Sequence, residues 1–383
     1  MTSRSLTFDA VSEDRPGPKW RARWDRSWPA YEAWFVARGG DAGPPRAECE
    51  AALAHYMPEL VPVHRALVRT AGGGDRAARF LSTWCPPAYL GGCSLAARAD
   101  GASVRLVRNY DLSPDLNEGL LLRSAWTGKP VMGMVEFLWG LSDGVNADGL
   151  AVALAFGGRC DVSLGFGVTT ILRYVLETCA TVDRALEVLA RVPSHMAYNV
   201  TLADRHGATA SVELAPGGGM RRMPSAIATN HQHGAERAER PGFTRTAERR
   251  AHLQRLFVAG TAPADLADAF LREPLFQTGY ADGFGTLFTA DYAPAEGALT
   301  LRWPGRSWHQ HLDAFAEGRL EIDYGAAAGR VEPSPAEVHE VHEALAAVRP
   351  FLSGTGCARF DAWLGEARQG RTDWASLGAV FAA

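Results

Sequence analysis

The most constraining feature of the sequence is an unbroken apolar run at residues 149–156, Gly-Leu-Ala-Val-Ala-Leu-Ala-Phe. Its length suits a β-strand, and the absence of polar alternation predicts that both faces of the strand are covered. Apolar residues at helical spacing then follow over 168–189, with a break and restart at Thr181-Val-Asp183. A covered strand beside a helix predicts a layered fold.

Further strand and helix patterns lie on both sides of this run. The segment Asp204-Arg-His-Gly207 is a good hairpin turn between two apolar stretches. The order of elements predicts two sheets, or one folded sheet, layered by helices in an α+β sandwich. The predicted strands are 103–111, 198–203, 209–214, 226–230, 285–290 and 298–303, and a helix is predicted at 243–257.

The two ends of the chain differ from the centre. Residues 1–92 are predicted to form a mostly helical leader, with helices at 28–37, 47–67 and 77–84. Pro58 and Pro62 are expected to kink or split the second of these helices. Residues 326–383 are predicted to add three short helices in a C-terminal extension. Three roles are open for this extension: capping a sheet, covering a pocket or mediating oligomerisation. The remaining part, 93–325, is the predicted central domain.

Composition excludes several classes of protein. The 383 residues carry a net charge of −4, which argues against a nucleic-acid partner and against membrane attachment. No apolar run reaches the roughly 18 residues of a transmembrane helix, and residues 1–28 lack the apolar core of a signal peptide. We therefore expect a cytoplasmic protein. The six cysteines are scattered without a CxxC pair, which favours reduced thiols and predicts neither a metal site nor a cofactor.

Cys93 is the candidate nucleophile. It follows Gly91-Gly92, and a short alternating segment after it brings Arg108 and Asp111 back toward it. A cysteine acts as a nucleophile only as its thiolate, which needs a nearby cation or base. If the Gly92–Cys93 bond is cut, the new α-amine, with a pKa of about 8, suits proton transfer at neutral pH. The competing interpretation is a buried thiol that acts as a small hydrophobic side chain.

With these residues in place, the sequence resembles the acyl-coenzyme A:6-aminopenicillanic acid acyltransferases. Their relatives are the penicillin V acylases and bile-salt hydrolases, the cysteine branch of the N-terminal-nucleophile hydrolases. The resemblance spans most of residues 80–325. It rests on Gly92-Cys93, Arg108-Asn-Tyr-Asp111, Asp143-Gly-Val-Asn146-Ala-Asp-Gly-Leu-Ala-Val152, Tyr198-Asn-Val-Thr-Leu-Ala-Asp204 with its hairpin to Glu213, Thr229-Asn230-His231, and the hairpin from Thr286-Leu-Phe to Leu301-Arg-Trp-Pro-Gly.

The resemblance implies a four-layer αββα sandwich and a precursor that cleaves itself between Gly92 and Cys93. The thiol of Cys93 would attack the preceding carbonyl, and the leader would remain as a small subunit. A glycine before the nucleophile leaves room for the tetrahedral intermediate and tolerates a strained backbone.

The resemblance also implies roles for individual residues. Cys93 would be the nucleophile, Arg108 would favour its thiolate, and Asp111 would orient its amine. Asn199 would donate to the oxyanion, a contact worth about 3 kcal/mol in a transition state. Arg249 falls where the family has a second active-site arginine, although Arg245 and Arg250 are nearby alternatives. Asn146, Asn230 and His231 are candidates for the pocket, with a turn role favoured for Asn146 and a structural one for His231.

The predicted activity is hydrolysis of a linear amide in a small N-acyl compound through a Cys93 thioester. Transfer of the acyl group from an amide or acyl thioester to an amine is the alternative, and a homo-oligomer is a further expectation. A non-catalytic binding or scaffold protein on the same fold is an alternative of a different class. A papain-like protease would need a local Cys–His signature, which the sequence lacks. His231-x-His233 and His309-x-His311 have no acidic or thiol partner at helpful spacing for a metal.

Overall fold

The structure is a computed structural model that describes residues 4–89, 91–101, 103–233 and 241–325. The C-terminal extension predicted for 326–383 lies outside the described residues. None of the described helices is both long and apolar enough to cross a membrane. The helices are α1 (Pro18–Ala37), α2 (Arg46–Tyr56), α3 (Val61–Thr70), α4 (Asp75–Ser82), α5 (Val168–Thr178), α6 (Val182–Arg191), α7 (Pro241–Thr244), α8 (Thr246–Val258) and α9 (Leu266–Phe270).

The strands of the described ranges form two sheets in a mixed α+β fold. The larger has the order β10-β9-β8-β7-β6-β5-β4-β1-β16, and the smaller β11-β2-β3-β13-β14-β15, with β12 paired to β13. The strands are β1 (Ser5–Ser12), β2 (Gly92–Asp100), β3 (Ser103–Leu112), β4 (Leu120–Ser124), β5 (Val131–Glu136), β6 (Gly140–Asn146), β7 (Leu150–Phe156), β8 (Tyr198–Asp204), β9 (Thr209–Leu214), β10 (Met220–Arg222), β11 (Ile227–Ala228), β12 (Thr278–Gly279), β13 (Phe284–Ala293), β14 (Ala298–Trp303), β15 (Arg306–His311) and β16 (Gly318–Asp323).

The apolar run at residues 149–156 forms strand β7, and every residue of this strand is buried. Successive side chains of a strand point to opposite faces. Leu150 and Val152 accordingly pack in one hydrophobic cluster with residues of α1–α6. Ala151 and Ala153 pack in a second cluster, together with residues of β2, β3, β13 and β14 from the other sheet. The prediction that both faces of this strand are covered is confirmed.

The smaller sheet has its own helical cover. Val107 of β3 and Ala96 of β2 share a third hydrophobic cluster with Leu253 of α8 and with Leu266 and Phe270 of α9. α8 thus packs on the smaller sheet, and Arg249 in its first turn contacts the backbone of Cys93 at the start of β2.

Both predicted hairpins are confirmed. β8 pairs antiparallel with β9, and β13 pairs antiparallel with β14. The break predicted within 168–189 is also present, because α5 ends at Thr178 and the side chain of Thr181 caps α6 by accepting a hydrogen bond from Arg184 N. The strand predicted at 226–230 is shorter, reduced to β11.

The leader is only partly as predicted. It contains α1–α4, with the predicted split of the second helical stretch at Pro58, and α1 begins ten residues earlier than expected, at Pro18. The prediction missed β1, which enters the larger sheet parallel to β4 and antiparallel to β16. The reason is that partners more than 100 residues away stabilise this strand, beyond the reach of local pattern reading.

The burial of Phe8 on β1 shows that the leader contributes to the hydrophobic core. Its side chain is fully buried and meets Phe288 and Trp303 of the smaller sheet at ring-centroid distances of 5.8 and 5.2 Å. We expect Phe8→Ala to lower the free energy of unfolding by about 3–5 kcal/mol, as for other buried Phe→Ala changes. Urea denaturation checks this, with exposed Ser5→Ala on the same strand as the matched control. Equal stability of the two variants would contradict the placement of β1.

Candidate active site

Cys93 lies at the second position of β2 with only 1% of its surface exposed. β2 pairs antiparallel with β3, so that Cys93 stands opposite Tyr110 and Leu95 opposite Arg108. Arg108 and Tyr110 are two residues apart and therefore share the face on which the thiol lies. Arg108 Nη2 donates a hydrogen bond to Cys93 Sγ at 3.2 Å. The contact predicted between Arg108 and the sulfur is present.

Arg108 is held by partners of its own. Its Nη1 donates to Asp143 Oδ2 at 2.6 Å and to Ser142 Oγ at 2.8 Å, and its guanidinium carbon lies 4.4 Å from the centre of the Tyr110 ring. Asp143 Oδ1 in turn accepts from Tyr292 OH at 2.6 Å. Sequence reasoning did not assign Ser142, Asp143 or Tyr292 to the site, although Asp143 opens one of the motifs of the resemblance.

The thiol of Cys93 has a raised pKa in this structure. Burial raises the pKa of Cys93 to about 11, and this effect outweighs the guanidinium of Arg108, which lowers it. Asp111 raises the pKa further by charge repulsion. The charge of Arg108 thus acts in the direction expected, but the cost of burying a thiolate is larger, so a pKa of about 11 corresponds to a protonated thiol at neutral pH.

Asp111 lies on the opposite face of β3. It pairs with Gly92 in the strand register, so its carboxylate adjoins the Gly92–Cys93 bond from the side away from the thiol. Thr286 Oγ1 donates to Asp111 Oδ1 at 2.7 Å, and Arg249 Nη1 lies 3.6 Å from Oδ2. Burial raises the pKa of Asp111, and the charge of Arg249 opposes the shift. Within the described part of the chain, Oδ2 accepts no hydrogen bond.

Arg249 of α8 joins these groups. Its Nη1 donates to the carbonyl oxygen of Cys93 at 2.6 Å and to Ser94 Oγ at 2.8 Å, and its Nη2 donates to Asn230 Oδ1 at 2.7 Å. The side chain is fully buried. Of the three arginines that the sequence offered, this one reaches the site.

The two alternative arginines lie elsewhere. Arg245 forms an ion pair with Glu248 at the surface, and Arg250 Nη1 contacts His231 Nε2 at 3.3 Å. Arg250 points about 100° away from Arg249 around the axis of α8. Arg245 precedes the helix, as its N-cap, with a left-handed backbone of φ 49°.

Asn230 is the asparagine that contacts the nucleophile. Its Oδ1 accepts from the backbone nitrogen of Cys93 at 3.0 Å. Its Nδ2 donates to the carbonyl oxygens of Phe156 at 3.1 Å and Gly91 at 3.5 Å. This amide therefore bonds to backbone groups on both sides of Gly92.

Asn199, the predicted oxyanion donor, does not contact Cys93 in this structure. Its Nδ2 donates to the carbonyl oxygens of Thr229 at 2.7 Å and His231 at 3.0 Å. Both amide hydrogens are thus engaged, and neither is directed at Cys93. The structure does not support the oxyanion role expected for Asn199, because that role would cost one of these buried hydrogen bonds. Asn199 instead holds the backbone on either side of Asn230.

The other two pocket candidates, His231 and Asn146, lie in different parts of the structure. His231 lines an open cavity of about 320 Å³ together with Arg250, and burial, followed by the charges of Arg250 and Arg249, lowers the pKa of His231 to about 4. Asn146 is not at the site. Its Nδ2 donates to the carbonyl oxygens of Leu176 and Cys179 at the end of α5, and its Oδ1 accepts from Leu150 N, which is the turn role. The described residues hold no cluster of metal-ligating side chains.

The sequence model of a known family matches residues 98–308, more than half of the chain, and is described as acyl-coenzyme A:6-aminopenicillanic acid acyl-transferase. The chain belongs to this family. It is accordingly an enzyme of the hydrolase and acyltransferase group. The matched range begins after Cys93 and contains Arg108, Asp111, Asn230 and Arg249. No curated protein matches the chain in sequence.

Solved structures of N-terminal-nucleophile hydrolases are similar to the chain at low identity. A penicillin V acylase from Agrobacterium tumefaciens is 16% identical over 61% of this chain and 92% of its own, with a TM-score of 0.44. A mutant of the conjugated bile acid hydrolase from Clostridium perfringens is 13% identical over 63% and 100%, with a TM-score of 0.38. The Caenorhabditis elegans ortholog of N-acylethanolamine-hydrolyzing acid amidase is 15% identical over 53% and 93%, with a TM-score of 0.39. The family assignment rests on the sequence match.

Gly92 offers a test of how tightly the strand is enclosed. A Cβ added there would lie 2.2 Å from the Phe284 ring and 2.9 Å from the carbonyl oxygen of Asp111, whereas a Cβ at Gly91 would meet nothing within 4 Å. We expect Gly92→Ala to lower the free energy of unfolding by about 1–3 kcal/mol through overpacking. Gly91→Ala is the matched control and should stay within about 0.5 kcal/mol of wild type. Similar losses in urea denaturation for both variants would contradict the packing around Gly92.

Proposed function

We propose that the chain is a self-processing amidohydrolase that cleaves the linear amide bond of a small N-acyl compound through a thioester on Cys93. The observation that carries this proposal is the set of buried groups around the Gly92–Cys93 bond. Arg108 contacts the sulfur, Asn230 contacts the nitrogen of Cys93, and Asp111 adjoins the bond from the opposite face.

The first proposed reaction is self-cleavage. Cys93 Sγ attacks the carbonyl carbon of Gly92, a carbon–sulfur bond forms, and the carbon–nitrogen bond breaks. The proton of the thiol passes to the departing nitrogen, which becomes the α-amine of Cys93. Water then hydrolyses the thioester, which leaves a carboxylate on Gly92 and a free thiol on Cys93. Exposure to water removes the main cause of the raised pKa of Cys93.

The cut would create the catalytic base. The α-amine of Cys93, with a pKa of about 8, can take the proton of the thiol during attack on the substrate. Asp111 Oδ2, which accepts no hydrogen bond within the described residues, is available to the ammonium form of this amine. A buried carboxylate oxygen gains from such a partner, because an uncompensated buried charge is costly. Asp111 would thus orient the amine.

We assign the oxyanion role to Asn230. Its Nδ2 already donates toward Gly91 O, one residue before the carbonyl that Cys93 would attack, and Arg249 fixes the amide through Oδ1. A preorganised donor at this position stabilises the negative charge that develops on the carbonyl oxygen. Asn199 would act through the loop that carries Asn230 and is therefore a positioning residue.

The leader would stay bound after the cut. β1 is paired on both sides within the larger sheet, and Trp20 Nε1 of α1 donates to the carbonyl oxygen of Leu138 at 3.0 Å. Residues 1–92 would then be a small subunit on the catalytic domain, residues 93–325. The three hydrophobic clusters support a four-layer αββα arrangement, with helices against the outer face of each sheet.

Acyl transfer to an amine is the second candidate, favoured by the description of the family as acyl-transferases. The two reactions share the Cys93 thioester and differ in whether water or an amine resolves it. The substrate is a small N-acyl amide, or an acyl thioester in the transfer reaction. The cytoplasmic location, the homo-oligomer and the role of 326–383 stay predictions.

Intact-mass spectrometry of wild type and Cys93→Ala tests the proposal. We expect two polypeptides in wild type, residues 1–92 and 93–383, and one uncut chain in the variant, because the thiol is the attacking group. Cys49→Ala is the matched control, since Cys49 is an equally buried free thiol remote from the site and should leave cleavage intact. An uncut wild-type chain with an unreactive Cys93 would sink the mechanism and support the scaffold alternative.

Asn230→Ala tests the oxyanion assignment. We expect the rate of self-cleavage to fall by about 10²–10³-fold, the usual effect of removing one oxyanion donor. Asn109→Ala is the matched control, because Asn109 is also buried and also donates to two carbonyls, those of Phe270 and Leu275 on the far side of β3. Time-resolved mass spectrometry measures both rates. Equal slowing of cleavage in the two variants would reduce Asn230 to a structural role.

A further inference from the structure

Tyr89 of the leader occupies a site close to the candidate active centre. It lies four residues before Cys93, and the centre of its ring is 4.5 Å from that of Phe137 and 6.0 Å from that of Tyr198. The ring is half-buried, while its hydroxyl is fully buried. Phe137 has a left-handed backbone, with φ of 56°, which is rare for a bulky residue and marks a constrained position.

The buried end of this site is polar. Tyr198 is 3% exposed and Thr169 is fully buried, yet neither hydroxyl has a hydrogen-bond partner among the described residues, and the same holds for the hydroxyl of Tyr89 and for Glu136 Oε1. Buried polar side chains normally do have partners. The hydroxyls of Tyr198 and Thr169 act on the hydroxyl of Tyr89, yet none of the three makes a well-formed hydrogen bond within the described residues. An aromatic pocket with such polar groups at its deep end suits a ring that carries a hydrogen-bonding substituent.

Electrostatics connects this pocket to the nucleophile. Burial is the main cause of the raised pKa of Tyr89, and the hydroxyl of Tyr198 and the carboxylate of Glu136 also act on it. The carboxylate of Glu136 also acts on Cys93, where burial, Arg108 and Asp111 have larger effects. The contacts place the pocket beside the nucleophile as well: Asn230 accepts from Cys93 N and donates to Phe156 O, and Phe156 stands opposite Tyr198 in the pairing of β7 with β8.

The chemistry of self-cleavage indicates which group the pocket binds, and this inference rests on the function proposed above. In that reaction the leader is the acyl group, because Gly92 is joined to Cys93 Sγ in the thioester. In the catalytic cycle the acyl group of the substrate takes the same place on the same sulfur. The substrate must therefore extend into the space that the leader fills before Gly92.

We propose that the pocket of Phe137, Tyr198, Thr169 and Glu136 is the acyl-binding site, that Tyr89 fills it in the structure described here, and that the acyl groups it accepts end in a hydroxyphenyl ring. Tyr89 is then an internal competitor that a substrate displaces. Gly92 is the third residue after Tyr89, so the backbone from the Cα of Tyr89 to that of Gly92 spans at most about 11 Å.

Binding of product-like acids tests this assignment without requiring turnover. The probes are three carboxylic acids with the same alkyl spacer: one without a ring, one ending in phenyl and one ending in 4-hydroxyphenyl. Isothermal titration calorimetry measures their affinities for wild type, Tyr89→Ala, Tyr198→Phe and Tyr174→Phe. Tyr174 is the matched control, because its hydroxyl donates to Glu59, away from this pocket.

We expect Tyr89→Ala to bind the hydroxyphenyl acid at least tenfold more tightly than wild type does, and at least tenfold more tightly than it binds the acid without a ring. We expect wild type to prefer hydroxyphenyl over phenyl by about two- to tenfold, the range of one neutral hydrogen bond. Tyr198→Phe should bring this ratio close to 1, whereas Tyr174→Phe should keep it.

Other outcomes overturn the assignment. Equal affinity of Tyr89→Ala for acids with and without a ring would show that the pocket does not receive the acyl group. An unchanged hydroxyphenyl preference in Tyr198→Phe would place the ring elsewhere. These failures differ from failure of the proposed function, which mass spectrometry reports independently as an uncut Gly92–Cys93 bond.

Discussion

The pairing of β2 with β3 is the constraint on which the rest of the site depends. In an antiparallel register alternate residues face opposite sides, so Arg108 and Tyr110 meet the side chain of Cys93 while Asp111 lies across the strand beside Gly92. A slip of one residue would exchange these faces. The pairing therefore places the guanidinium of Arg108 at the sulfur of Cys93 and the carboxylate of Asp111 at the Gly92–Cys93 peptide bond.

The leader is both part of the fold and a cover for the site. β1 lies inside the larger sheet and buries Phe8 against the smaller one, while Tyr89 packs beside Phe137 close to the nucleophile. The same burial that stabilises this arrangement raises the pKa of Cys93. The packing of this region and the raised pKa of Cys93 therefore have one cause, the burial of the start of β2.

Much of the fold and part of the site could be predicted from local pattern. The apolar run of β7, both hairpins and the break before α6 are short-range features with strong periodicity. The contact of Arg108 with Cys93 could be predicted because only one hairpin separates the two residues. β1 was missed although Leu6, Phe8 and Ala10 alternate, because its partners β4 and β16 are distant in sequence. β4, β5 and β6 were not predicted either.

The sequence by itself determined the strongly periodic elements, the position of Cys93 behind two glycines and the membership of a family, since these follow from short-range periodicity and from motif order. Only the tertiary structure decided which asparagine meets Cys93, which arginine of α8 enters the core and whether the thiol is charged. The physical reason is that hydrogen-bond partners and desolvation are set by distant segments. Asn199 and Asn230 look alike in the sequence, and packing alone engages one with Thr229 and His231 and the other with Cys93.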